Sequence, residues 1–175
     1  MKEITTARLK LIPLEEKYFM EIHRMCCFPE VAKFNTIGIP KEFEVTSERL
    51  HQLLEKKTSN VWVILDKDSQ EFYGEFGMTL SPTRYKKAEI YYNLLPSVWA
   101  KGYASEAAKA IIDFGFTQLK LHRIEAGVAT ENLASIRVLE KVGMQREGLC
   151  REILPLQTGW SDNYMYSVLE SDPPS

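Results

Sequence analysis

Midway along the chain the hydrophobic period changes, and that change narrows the folds available. From Ala88 to Leu95, Glu89, Tyr91 and Asn93 alternate with Ile90, Tyr92 and Leu94, the period of two required of a strand with unlike faces. From Gly102 to Lys120 the apolar positions Ala104, Ala108, Ile111, Ile112, Gly115 and Leu119 fall instead on one helix face. Ile124 to Thr130 then alternates again as a strand. A strand that leads through a helix to another strand makes a crossover rather than a hairpin.

Upstream, the strand candidates Val61 to Leu65 and Phe72 to Leu80, with Gly74 and Gly77 interrupting the second, precede Ala88 to Leu95 and predict an antiparallel meander. The opening stretch Ala7 to Leu14 alternates apolar with charged residues, and Pro13 limits its length as a strand. A helix is expected from Glu15 to about Cys27. Another is expected from Thr46 to about Lys57, with Ser47 as a possible cap and Leu50, Leu53 and Leu54 on one stripe. Downstream, Asn132 to Val142 has helical spacing with Gly143 placed as a C-terminal cap. Two more strands, Gln145 to Ile153 and Trp160 to Leu169, flank a turn at Gln157-Thr158-Gly159. The sum is a mixed α/β fold with a sheet of about seven strands and about four helices.

A chain of 175 residues with 45% hydrophobic and 26% charged residues is sized and composed as one self-supporting domain, here residues 1–171, followed by a tail at 172–175 expected to fray. The net charge of −2 offers no basic field for a nucleic-acid backbone. Charged residues interrupt Met1 to Leu14, and no apolar stretch is long enough to span a bilayer, so no membrane partner is expected and the protein is read as cytoplasmic. Cys26, Cys27 and Cys150 lack C-x-x-C spacing, and His23, His51 and His122 lack paired ligand spacing, so no metal is expected.

The segment Pro96 to Ala107 carries the chemistry. It joins a strand to a helix through small residues, and the first turn of a helix presents main-chain N–H groups that have no partner within the helix. Gly102 and Ala104 allow a close approach of phosphate oxygens, and Lys101 adds a positive charge. On its own this loop fits a plain helix start as well as an anion site. Neither G-x-G-x-x-G nor G-K-[ST] is present.

Several segments in succession then carry a resemblance: Thr6 to Leu14, Ala88-Glu89-Ile90-Tyr91-Tyr92, Trp99 to Ala107, Leu121 to Ala126, Asn132 to Met144 and Arg146-Glu147-Gly148-Leu149. Together they resemble the GNAT acetyltransferase superfamily, in the branch similar to RimJ/RimL ribosomal-protein N-terminal acetyltransferases. Trp99 stands where the superfamily usually has Arg or Gln. The resemblance implies acetyl-CoA as donor, its pyrophosphate held by the amides of Ala100, Lys101, Gly102, Tyr103, Ala104 and Ser105. It also implies that two strands part near Leu94 and Val128, freeing main-chain groups around Asn93, Leu94 and Leu95 for the pantetheine arm. Asn132 would contact that arm, Ser135 would stand near the coenzyme sulfur, and a main-chain N–H near Leu94 would meet the oxyanion.

Amine acetylation needs a neutral nucleophile, hence a base or a desolvating site. Glu89 is the first candidate, though its residue type fits an ion-paired strand glutamate equally, and Glu152 is the second. Asp162 reads as a turn residue, and Cys150 as packing. The acceptor indicated is a peptide or protein N-terminal amine, with polyamines and antibiotics as small-molecule alternatives. A coenzyme A-binding sensor without catalysis is the rival class. Related enzymes pair through C-terminal strands, so a homo-oligomer is compatible with the resemblance.

Overall fold

The computed structural model describes residues 2–173. Its strands are β1 (Ile4–Thr5), β2 (Leu9–Pro13), β3 (Ser59–Asp66), β4 (Phe72–Leu80), β5 (Lys87–Leu94), β6 (Arg123–Ala129), β7 (Gln145–Leu156) and β8 (Gly159–Leu169). Its helices are α1 (Phe19–Cys26), α2 (Pro29–Ala32), α3 (Phe43–Glu55), α4 (Tyr103–Thr117) and α5 (Leu133–Lys141). The strands form one sheet in the order β1-β2-β3-β4-β5-β6-β8-β7. Every neighbouring pair is antiparallel except β5 with β6, the two strands linked by the α4 crossover.

The sheet therefore has eight strands rather than about seven, because a two-residue strand, β1, precedes the expected opening strand β2 and joins it through a turn that starts at Thr6. There are five helices rather than about four, since Pro29 starts the additional single turn α2. The second long helix begins at Phe43, earlier than its sequence pattern suggests, and Ser47 is not its cap: Glu42 occupies the N-cap without a side-chain bond. Gly143 takes the C-terminal cap with φ of 84°, and Met144 N–H closes onto Leu139 O.

Alternation along the strands builds two layers. Trp62, Ile64, Phe76, Met78, Ala88 and Ile90 face α4 and α5, where Ile111, Ile112, Leu139 and Val142 complete one core. Val61, Val63 and Leu65 face the opposite way, onto Phe19, Ile22, Met25 and Leu50 of α1 and α3. Each fully buried large side chain contributes about 1.5–3 kcal/mol by leaving water. Among the described residues no helix is long and apolar enough to cross a membrane.

After β8, the Asp172 carboxylate accepts the Leu169 N–H at 2.9 Å. Pro174 and Ser175 of the expected tail lie outside the described residues.

Candidate active site

β5 and β6 pair only at Lys87–Arg123, Ala88–Ile124 and Glu89–Glu125, and beyond Glu89 the two strands run on without pairing. On its other side β5 stays bound to β4 as far as Leu94. Leu95 N–H donates to Tyr73 O at 2.9 Å and Ser81 N–H to Lys87 O at 2.9 Å, so the odd-numbered residues of β5 direct their main-chain groups at β4. Tyr92 and Leu94 therefore turn theirs toward the gap. This corrects the expectation for Leu95, whose N–H goes to β4 and whose O accepts Val98 N–H, and for Asn93, whose main-chain groups face β4. Asn93 also uses its side chain on that side, donating from Nδ2 to Glu75 Oε1 at 3.0 Å.

The far wall of the opening is the loop into α4. Ala100 has φ of 59° and Gly102 of 83°, so the chain makes two left-handed steps before the helix begins. For a residue with a side chain such a step costs about 1–2 kcal/mol, whereas glycine adopts it freely. The first helical bond is Glu106 N–H to Gly102 O at 3.0 Å. Among the described residues no acceptor is recorded for the N–H groups of Ala100, Lys101, Gly102, Tyr103, Ala104 or Ser105. Such a row of free amides at the positive end of a 15-residue helix has the geometry that can receive an anion. Trp99 folds back over this corner, its indole Nε1 donating to Leu94 O at 2.8 Å. Lys101 turns away, with Nζ donating to Ser97 O at 2.9 Å.

Glu89 occupies the last paired position before the strands part. Its side chain is exposed, and among the described residues it makes no hydrogen bond. Desolvation by the surrounding protein pushes its carboxyl above the ordinary range, repulsion from Glu125 adds to this, and Lys87 opposes it. Glu125 is itself held by Lys87 Nζ at 3.0 Å and Arg123 Nε at 2.7 Å. Those bonds outweigh its own desolvation and keep its carboxyl below the ordinary range.

Asn132 caps α5, its Oδ1 accepting Ser135 N–H at 3.2 Å. Ser135 Oγ then meets Tyr92 Oη across the cleft at 2.7 Å. Burial pushes the Tyr92 phenol up to about 12 despite the Ser135 bond, so it is a neutral hydroxyl throughout the physiological range. Tyr92 is the partner that sequence alone does not single out, because its position in the strand pattern fits core packing. Only the fold brings residues 43 positions apart into contact.

Glu152 is not brought to this cleft by its strand. It lies on the exposed outer strand β7, in the irregular stretch between Cys150 and Leu154, with φ of 48°. Its N–H donates to Asp162 Oδ1 at 2.8 Å, and with Arg151 these residues line a surface hollow of about 380 Å³. β8 and β6 stand between β7 and the gap. Asp162 serves the hairpin itself, as its sequence position suggests. Cys150 is a free, half-buried thiol.

Known proteins share this arrangement. The family model described as "Acetyltransferase (GNAT) domain" matches residues 8–145. A Bacillus licheniformis protein named "Uncharacterized N-acetyltransferase p20" is 33% identical over 177 residues, covering 98% of each chain. Among solved structures, a GNAT-family acetyltransferase from Bacillus anthracis superposes with a TM-score of 0.87 at 30% identity, covering 98% of this chain and 100% of that one. Two others are 22% identical and show the shared fold. One is a spermidine N-acetyltransferase from Vibrio cholerae in complex with CoA and spermine, with a TM-score of 0.86 over 95% of this chain and 98% of that one. The other is a ribosomal-protein-S5-alanine acetyltransferase from Vibrio fischeri, with a TM-score of 0.84 over 98% of each chain.

Proposed function

Because this chain belongs to the GNAT acetyltransferase family, we propose that it moves the acetyl group of acetyl-CoA directly onto a primary amine within a ternary complex. The observation that carries the proposal is the adjacency of two unsatisfied main-chain surfaces. One is the row of free amides from Ala100 to Ser105, and the other is the unpaired edge of β5 at Tyr92 and at the Leu94 N–H, the Leu94 O being taken by the Trp99 indole. A diphosphate fits the first surface. An extended amide-bearing arm fits the second, as an added strand would.

In this reading acetyl-CoA supplies an activated thioester, and the protein does the rest. Glu89 takes a proton from the incoming amine, directly or through water. It is preferred to Glu152 because it stands at the apex of the gap rather than on the outer hairpin. Leu94 N–H points into the gap and is a fixed donor for charge developing on the carbonyl oxygen, needing no reorganisation. Ser135, held at its main chain by Asn132 and at its hydroxyl by Tyr92, stabilises the leaving sulfur. No covalent acyl-enzyme is required, and Cys150 has no part.

The acceptor we favour is a protein N-terminal amine of the ribosomal-protein kind, following the resemblance in the segments Trp99 to Ala107 and Asn132 to Met144. Cytoplasmic residence accompanies that acceptor. The test has two arms, coenzyme A titration by calorimetry and thiol release from acetyl-CoA with a panel of peptides, polyamines and aminoglycosides. Turnover with N-terminal peptides is the expected result. Turnover confined to small amines removes the acceptor assignment, and binding without any turnover makes the protein a coenzyme A sensor.

A further inference from the structure

We propose that Arg8, carried on the turn between β1 and β2, is part of the pyrophosphate site and places a guanidinium against the diphosphate of coenzyme A; the inference rests on the function read above.

The N-terminal turn is built onto the first turn of α4. Thr6 Oγ1 donates to Glu106 Oε1 at 2.6 Å, and Arg8 N–H donates to the same oxygen at 2.8 Å. Arg8 Nε donates to Glu106 Oε2 at 2.7 Å and Nη1 to Lys101 O at 3.0 Å. The guanidinium also lies 4.3 Å from the centre of the Tyr103 ring. Three contacts thus fix a side chain that would otherwise lose considerable rotamer freedom on binding an anion.

One amino group is left over. Arg8 Nη2 makes no recorded bond among the described residues, and it is the one heavy atom within 4 Å of the place a Cβ on Gly102 would occupy, at 3.5 Å. It therefore overhangs the glycine at the head of the free amides, with donors unspent. The fork geometry of a guanidinium suits a phosphate oxygen. Arg8 also answers an electrostatic difficulty. Glu106 lies in the helix turn that receives the anion, and without a cation beside it its carboxylate would oppose binding. Lys101 does not serve, since its ammonium is turned to Ser97 O.

Calorimetric titration with two ligands tests the assignment without knowledge of the acceptor. Coenzyme A carries the phosphates and pantetheine lacks them. Arg8→Gln is expected to weaken coenzyme A by about tenfold to a hundredfold while leaving pantetheine affinity unchanged. Arg8→Lys, which keeps charge without the fork, is expected to fall between. Added salt narrows the difference between wild type and Arg8→Gln. Equal coenzyme A affinity in all three proteins overturns the proposal. Equal proportional losses for both ligands also overturn it, because Arg8 would then only brace the loop. A wild-type protein that ignores coenzyme A removes the functional reading itself, and this inference with it.

Discussion

At the scale of single residues, proton handling in the proposed reaction rests on Glu89 and on the Tyr92–Ser135 pair. Glu89 must be ionised to accept a proton. Because desolvation and Glu125 raise its pKa above the ordinary 4.5, kcat/KM is expected to climb with pH along a limb centred above that value. Glu89→Gln should abolish this limb and lower kcat by about 10²- to 10⁴-fold, as a pH–rate profile would show. A limb that survives in the variant belongs to another group. Stability carries the opposite sign: folded Glu89 holds its proton more tightly than the unfolded chain does, so its contribution declines as pH rises from the unfolded value through the folded one. For Ser135, the 2.7 Å bond to a phenol that stays neutral couples two hydroxyls into one hydrogen-bonded pair. Ser135→Ala and Tyr92→Phe should each lower kcat more than they change KM for acetyl-CoA. In steady-state kinetics the double variant should lose little beyond either single one, because both break the same pair.

At the scale of elements, the β4–β5 pair shows how closely the site depends on main-chain spacing. A Cβ on Gly74 would stand 2.1 Å from Asn93 O and 2.9 Å from Leu94 Cα. The obstacle is main chain, so no rotamer change relieves it and the strands must part where β5 lines the gap. Gly74→Ala is expected to cost about 1–3 kcal/mol, read as a fall of several degrees in Tm, and to weaken coenzyme A binding in the same preparation. The elements themselves were largely legible in the sequence. Period-two and period-3.6 patterns located β5, β6, α4 and α5, apolar runs located β3 and β4, and Gly143 marked the end of α5 as it should. Their ends were less legible. α3 begins at Phe43 because packing of Phe43 and Leu50 against the α1 layer decides it, not the hydroxyl at Ser47. The strand-to-helix loop before α4 was readable because its requirement is local, namely small residues at a helix start. Arg8 and Tyr92 were not, because their partners lie 98 and 43 positions away and only the tertiary fold selects them.

At the scale of the whole molecule, the sheet is joined across its middle by very little. Three residue pairs connect β5 to β6, reinforced by the Lys87–Glu125 ion pair, before the strands part. The three strands on the far side of that join are β6, β8 and β7, held otherwise by α4 and α5 packing on the common core. A ligand lying in the gap would act as a missing strand and couple the two parts. At a free concentration of one hundred times Kd it would add about 2.7 kcal/mol of stability. The register makes the consequence residue-specific. Tyr91 and Asn93 N–H groups, spent on β4, should resist hydrogen exchange whether or not coenzyme A is present. Tyr92 and Leu94 N–H groups, turned to the gap, should exchange quickly in the free protein and slow markedly when coenzyme A is added. Hydrogen exchange followed by NMR separates these neighbours in the chain. Uniform protection of all four residues in the free protein would mean that the gap is already closed, with no edge left for the arm to occupy.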